Sequence, residues 1–106
     1  MADKYQILNA MKTTLSEKLG DNLIDIILFG SQAYGHATND SDYDFLVILK
    51  EIPDWKLKDK ISEYCYEIDL KYDVFTDVHI LGQEEINTLR GRQPIFQTAF
   101  QKGIHA

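Results

Sequence analysis

The chain has 106 residues, 44% of them hydrophobic and 26% charged, with a net charge of −6. The length fits a single domain over 1–106, and the acidic balance argues against a protein that coats DNA or RNA, where phosphate neutralisation dominates binding. The only cysteine, Cys65, excludes an intrachain disulfide and suits the cytoplasm, and no stretch approaches the ~20 apolar residues of a membrane span.

Taken in chain order, Leu8, Met11, Leu15 and Leu19 recur at helical spacing and predict a helix over Lys4 to Leu19. Asp3 and Gln6 form a capping-box pattern, and Gly20 is a stop signal. Leu23 to Phe29 is an almost unbroken apolar run, rich in β-branched residues, and predicts a buried strand. Gly30 to Asp42 is loop-like in composition. Asp44 to Leu49 predicts a second central strand, closed off by Pro53. Asp54 to Lys71 predicts a second helix with Leu57, Ile61, Tyr64, Cys65 and Ile68 on one face.

Asp73 to Leu81 predicts a third strand, with Val74, Thr76, Val78 and Ile80 on one side and Phe75, Asp77, His79 and Leu81 on the other. Gln83 to Arg90 predicts a short helix. Pro94 to Lys102 predicts a last one, with Ile95, Phe96, Ala99 and Phe100 on its packed face and Gly103 as its stop. The order implies an α+β fold: a small mixed sheet with helices packed on one face.

The informative segment runs from Gly30 to Asp44. A strand ends at Phe29 and a Gly30-Ser31 turn follows. Glycine lets a ligand approach the backbone closely, and a helical turn over Gln32 to Tyr34 would aim N–H groups at an anion. Asp42 and Asp44 lie two residues apart at the start of a strand, so period two puts both carboxylates on one side. At ~4 Å and an effective dielectric of about 20 they repel by about 4 kcal/mol. Protonation or a cation relieves that repulsion, and hard carboxylate oxygens suit Mg²⁺ that also holds substrate phosphates.

This segment resembles the signature of the DNA polymerase beta-like nucleotidyltransferase superfamily: a Gly-Ser pair, ten residues (Gln32 to Ser41), then Asp-X-Asp. Gly35, Ala37 and Ser41 also meet the finer pattern of its minimal nucleotidyltransferase (MNT) branch. The resemblance extends from Leu23 to Gly103. It implies a polymerase beta-like palm fold in which Gly30, Ser31 and Ser41 bind the triphosphate of ATP as substrate. Asp42 and Asp44 would ligate two Mg²⁺ ions. A third carboxylate on a neighbouring strand would complete the site and activate the acceptor hydroxyl. Asp77 is the first choice, Asp73 the second and Asp69 a distant third; strand parity puts Asp73 and Asp77 on one face, so only register separates them. The branch often carries arginine near Gln32 or Tyr34, and none stands here; Lys50, Lys71, Arg90 and Arg92 are the candidate substitutes.

The other conspicuous side chains have plainer readings. His36 reads as a solvated loop residue, His79 as a partly buried strand residue, Cys65 as core, and Tyr64, Tyr66 and Tyr72 as packing or surface residues. Trp55 reads as an anchor, either of the core or of an interface.

The resemblance implies an enzyme that moves AMP onto a tyrosine of a HEPN-domain toxin, as the MNT antitoxin of a toxin–antitoxin pair. Two alternatives stand beside it: a binding module with idle carboxylates that neutralises a partner protein, and a nucleotidyltransferase acting on a small antibiotic. A homo-oligomer is compatible with each, and neither a membrane nor stable nucleic-acid binding is expected.

Overall fold

The computed structural model describes residues 3–35 and 42–106. Helix α1 covers Lys4–Leu19, as its capping pattern predicts. Asp3 Oδ1 accepts from the Gln6 N–H at 2.9 Å, and Gln6 Oε1 accepts from the Asp3 N–H at 2.8 Å. Strand β1 (Leu23–Phe29) leads directly into a one-turn helix α2 (Gly30–Tyr34). Strand β2 is Tyr43–Leu49, helix α3 is Trp55–Tyr72 and strand β3 is Thr76–Gly82. Helix α4 (Pro94–Lys102) and a two-residue strand β4 (Ile104–His105) complete the order. Asp54 caps α3 by accepting from the Leu57 N–H at 2.8 Å, and Pro94 opens α4, where its missing N–H costs nothing.

The sheet has strand order β3-β2-β1-β4 and is mixed. β1 is antiparallel to β2 and to β4, whereas β2 and β3 run parallel through the α3 crossover. Alternation then sorts the side chains. Ile26, Leu28, Phe45, Val47, Leu49 and Ile80 point to the face covered by α1 and α3, where Ile7, Met11, Leu15, Ile61, Cys65 and Ile68 meet them. Ile27, Phe29, Leu46, Ile48 and Leu81 point the other way and meet Phe96 and Ala99 of α4. The expected one-sided helical layer is thus made by the two long helices, while α4 covers part of the opposite face. Phe96 and Ala99 find their apolar partners only there.

Two local expectations are corrected, and one element is added. The third strand begins at Thr76, not Asp73, because α3 runs on to Tyr72 and Asp73 caps it in a left-handed conformation (φ 54°). Asp69 holds that junction: its carbonyl accepts from the Val74 N–H, and its Oδ1 accepts from the N–H (3.1 Å) and hydroxyl (2.7 Å) of Thr76. The helix expected over Gln83 to Arg90 is a 3-10 turn at Gln83–Glu85 followed by tight turns. Its chain closes where Gly91 packs against the Glu85 and Ile86 carbonyls, leaving no room for a Cβ. Strand β4 was not expected: Ile104 and His105 pair with Leu28 and Ile27, and the Ala106 N–H donates to the Ile26 carbonyl at 2.8 Å. Trp55 is an exposed residue, not part of the core, and Cys65 is buried, its thiol pushed up to about 12 by desolvation and then by Asp69. No helix among the described residues is long and apolar enough to cross a membrane.

Candidate active site

Three strand ends converge on the α4 side of the sheet. β1 ends at Phe29, and the chain turns into α2 at Gly30 with φ 74°. That left-handed value favours glycine. A second reason is steric: a Cβ on Gly30 would overlap Asp44 Oδ2. The carboxylate of Asp44 therefore sits against the bare backbone of the turn. Among the described residues no side chain caps the start of helix α2, and it ends at Gly35, again left-handed (φ 80°), whose N–H donates to the Ser31 carbonyl.

Asp44 reaches this place because β2 returns antiparallel to β1 with Asp44 opposite Phe29. On its other side β3 runs parallel with Asp77 opposite Asp44. Phe45, one residue on, enters the core of the opposite face. Asp42 is exposed and precedes β2 by one residue.

The electrostatics follow from that crowding. The Asp44 carboxyl is raised above the ordinary carboxylate value, first by burial, then by the negative charges of Asp77 and Asp42, with a hydrogen bond to the Asp77 carboxyl adding to the rise. His79 opposes the shift. His79 lies two residues along β3, half-buried as expected, with Nε2 3.4 Å from Asp77 Oδ2. Its ring stands between Phe29 (centroids 5.8 Å apart) and Phe96 (5.7 Å), so its orientation is set by packing.

The candidates for the third carboxylate separate cleanly in space. Asp77 flanks Asp44. Asp73 is off the strand, in the helix cap, and Asp69 is held by Thr76, with its carboxyl raised first by burial. Ser31 lies half-buried in α2. Ser41 and His36 lie outside the described residues.

Lys50 follows the far end of β2, ~20 Å from Asp44 by strand rise. Arg90 bonds the Ile80 carbonyl (3.2 Å) and pairs with Glu85 (3.4 Å), and the Lys71 ammonium sits over the Tyr72 ring, 5.4 Å from its centroid. These three are thus engaged or placed elsewhere, and Arg92 is exposed in the turns before α4.

Sequence reading missed two neighbours of the turn, Tyr34 and Ile95. Ile95 was assigned to the packed face of α4, and it is 44% exposed beside Gly30 and Asp44. An apolar residue at the first turn of an amphipathic helix carries no signal of which neighbour it meets.

Among the described residues, no three carboxylate, imidazole or thiol side chains lie in metal-holding geometry. The donors gathered here are nonetheless all hard oxygens, and burial with the neighbouring charges disfavours the anionic form of Asp44, which is the chemistry a divalent cation relieves.

Residues 8–100 match the nucleotidyltransferase domain family. A candidate protein adenylyltransferase of Methanocaldococcus jannaschii is 41% identical over 69 residues, covering 65% of this chain and 70% of its own. A second from the same organism is 36% identical over 90 residues, covering 78% of this chain and 61% of its own, so this chain spans less than two-thirds of that relative. Among solved structures, a toxin–antitoxin crystallised with AMP-PNP shares the fold at a TM-score of 0.64 and 19% identity, over 92% of this chain and 69% of that one. Spectinomycin adenyltransferase from Enterococcus faecialis, with ATP and spectinomycin, aligns at a TM-score of 0.66 and 26% identity, over 81% of this chain and 37% of that one. The chain belongs to the nucleotidyltransferase domain family.

Proposed function

We propose that this nucleotidyltransferase moves AMP from ATP to a hydroxyl of a protein acceptor, a tyrosine of a HEPN-domain toxin, as the antitoxin of a toxin–antitoxin pair. The observation that carries the reading is the register that sets Asp44 between the Gly30 turn on one side and Asp77 on the other. It is supported by the likeness to candidate protein adenylyltransferases and by the fold shared with a toxin–antitoxin.

In this reading Gly30, Ser31 and Ser41 receive the triphosphate, and Asp42, Asp44 and Asp77 hold two Mg²⁺ ions. Bound there, the ions would neutralise the phosphates and stabilise the attacking and leaving oxygens. Asp77 accepts the acceptor hydroxyl's proton. The hydroxyl oxygen bonds to the α-phosphorus while the bond from that phosphorus to the bridging oxygen breaks, and pyrophosphate leaves. Buried Phe29 and Phe96 fix His79, and His79 steadies the Asp77 carboxylate against which the hydroxyl is presented.

The test is ATP labelled at the α-phosphate, Mg²⁺, the purified chain and the product of the adjacent gene. Label on a tyrosine of the partner is expected. No label on it with any of the four ribonucleotides, under conditions where the two proteins bind, removes the transfer reading.

A second reading has one observation in its favour. Lys50, Lys71 and Arg90 do not stand in for the arginine that the MNT branch often carries in its loop. A neutralising module with idle carboxylates would need no such charge. It predicts that the double variant Asp42→Ala, Asp44→Ala still silences the toxin in cells.

A further inference from the structure

We propose that the outward face of α3 is the interface of a symmetric homodimer, in which two copies of this chain pack α3 against α3 in antiparallel register. The inward face belongs to the core, where Ile61, Cys65 and Ile68 are buried. On the other face Trp55, Tyr66 and Leu70 stand 69%, 60% and 67% exposed. At about 100° per residue, Trp55, Asp59, Ser62, Tyr66 and Leu70 fall within roughly 80° of arc. They form one stripe that runs from the first turn of the helix to the last. Single apolar residues scattered over a surface need no explanation, but an aligned set with two aromatic rings marks a contact surface.

The charges point to what covers it. Lys56, Lys58 and Lys60 occupy the first half of α3 and Glu63, Glu67 and Asp69 the second, with Asp59 and Lys71 the exceptions. The macrodipole favours the reverse order, acids first and bases last, so helix stability does not account for the pattern. A second copy does. A two-fold axis beside Ser62 and Glu63 sets Trp55 of each copy across from Leu70 of the other. It also sets Tyr66 across from Asp59, a carboxylate to which the Tyr66 hydroxyl can donate. Exposed Lys56, Lys60, Glu63 and Glu67 share one flank of the stripe, within ~60° of arc, and the two-fold keeps that flank against itself. Lys56 of one copy then faces Glu67 of the other, and Lys60 faces Glu63. A parallel pairing would bring like charges together instead. Ser62, small and central, lets the helix axes approach to about 8–10 Å. An unrelated partner would have to match this pattern through its own sequence, whereas a second copy matches it by symmetry. The stripe lies on the other side of the sheet from Asp44 and Asp77, so pairing leaves the candidate active site open. The dimer therefore stands or falls independently of the transfer reaction.

Analytical ultracentrifugation of the purified chain tests this. Wild type is expected to pass from monomer to dimer as concentration rises. Trp55→Ala, at an exposed position, is expected to raise the dissociation constant by about tenfold or more while its helical circular dichroism stays the same. Two charge variants give the stricter arm. Lys56→Glu with Lys60→Glu makes the shared flank wholly acidic, and Glu63→Lys with Glu67→Lys makes it wholly basic. Each is expected to be monomeric alone, and the two mixed are expected to form a one-to-one pair. A wild-type chain that stays monomeric up to about 1 mM overturns the proposal. So does a dimer that Trp55→Ala leaves as tight as before. Charge variants that self-associate like wild type, or that fail to pair when mixed, overturn the antiparallel register and the proposal with it. A monomeric chain that binds a different protein through Trp55 also overturns it and gives the face to that protein.

Discussion

Successive side chains of β2 go to opposite sides of the sheet, and the two sides are built to different ends. Phe45, Val47 and Leu49 enter a closed layer between the sheet and the two long helices, where burial is complete. Asp44, Leu46 and Ile48 face α4, which shelters the last two and leaves the first at the rim beside Asp77. One side gains stability from apolar area. The other gives some up, because burial and the charges of Asp77 and Asp42 make the Asp44 carboxyl resist ionisation. The difference teaches that adjacent residues of one strand can be asked for opposite things, with the sheet's two-residue period keeping them apart.

The sharpest way to break the comparison is at Asp44 and Phe45. Asp44→Asn is expected to lower nucleotidyl transfer by about a thousandfold or more, since it removes a carboxylate from the proposed ion-holding set. The same change is expected to raise the melting temperature of the metal-free protein at neutral pH. The sign follows from linkage. Asp44 is raised above its ordinary value of 3.8, so the stability it contributes is present below that value and is lost as pH rises through its higher folded value. Melting temperature against pH in EDTA should therefore fall across that acidic window in wild type and fall less in the variant. A variant less stable than wild type at pH 7 would contradict the claim of crowding.

Phe45→Ala tests the other side. It empties a fully buried position and should cost about 3–5 kcal/mol in urea unfolding. A loss under ~1 kcal/mol would mean that this layer is not close-packed.

Gly30→Ala sits between the two cases. The left-handed backbone and the overlap with Asp44 predict a modest stability loss of about 1–2 kcal/mol. The larger effect is expected on activity, through a displaced carboxylate. Equal activity in wild type and variant would show that Asp44 need not rest on the turn. The smallest effect is expected at the cap of α3, on the closed side. Asp54→Ala removes the bond to the Leu57 N–H and should cost about 1 kcal/mol with kcat and KM unchanged.

Much of this architecture is set by local signals that the chain carries in order. The ends of α1 are written in Asp3, Gln6 and Gly20, and those of α4 in Pro94 and Gly103, because caps and stops act within a few residues. Leu23 to Phe29 reads as a strand from its length and β-branched content, and the Gly30-Ser31 turn with Asp42 and Asp44 marks the candidate site through a family resemblance carried by its spacing. Where two signals overlapped, reading failed. The alternation from Asp73 onward looks continuous, yet Asp69 draws Val74 and Thr76 back to α3 and puts Asp73 in a helix cap. A two-residue strand such as β4 is too short to have a period at all.

What the tertiary structure alone decided is which distant residues stand next to Asp44. Periodicity says which side of its own strand a residue occupies, but not which strand lies alongside or in what register. The parallel pairing that sets Asp77 against Asp44, and the crossing of α4 to the carboxylate side that brings Ile95 to the turn, come from how the apolar surfaces of separate elements fit together. That fit is a property of the whole packed set, so no short window of the chain contains it.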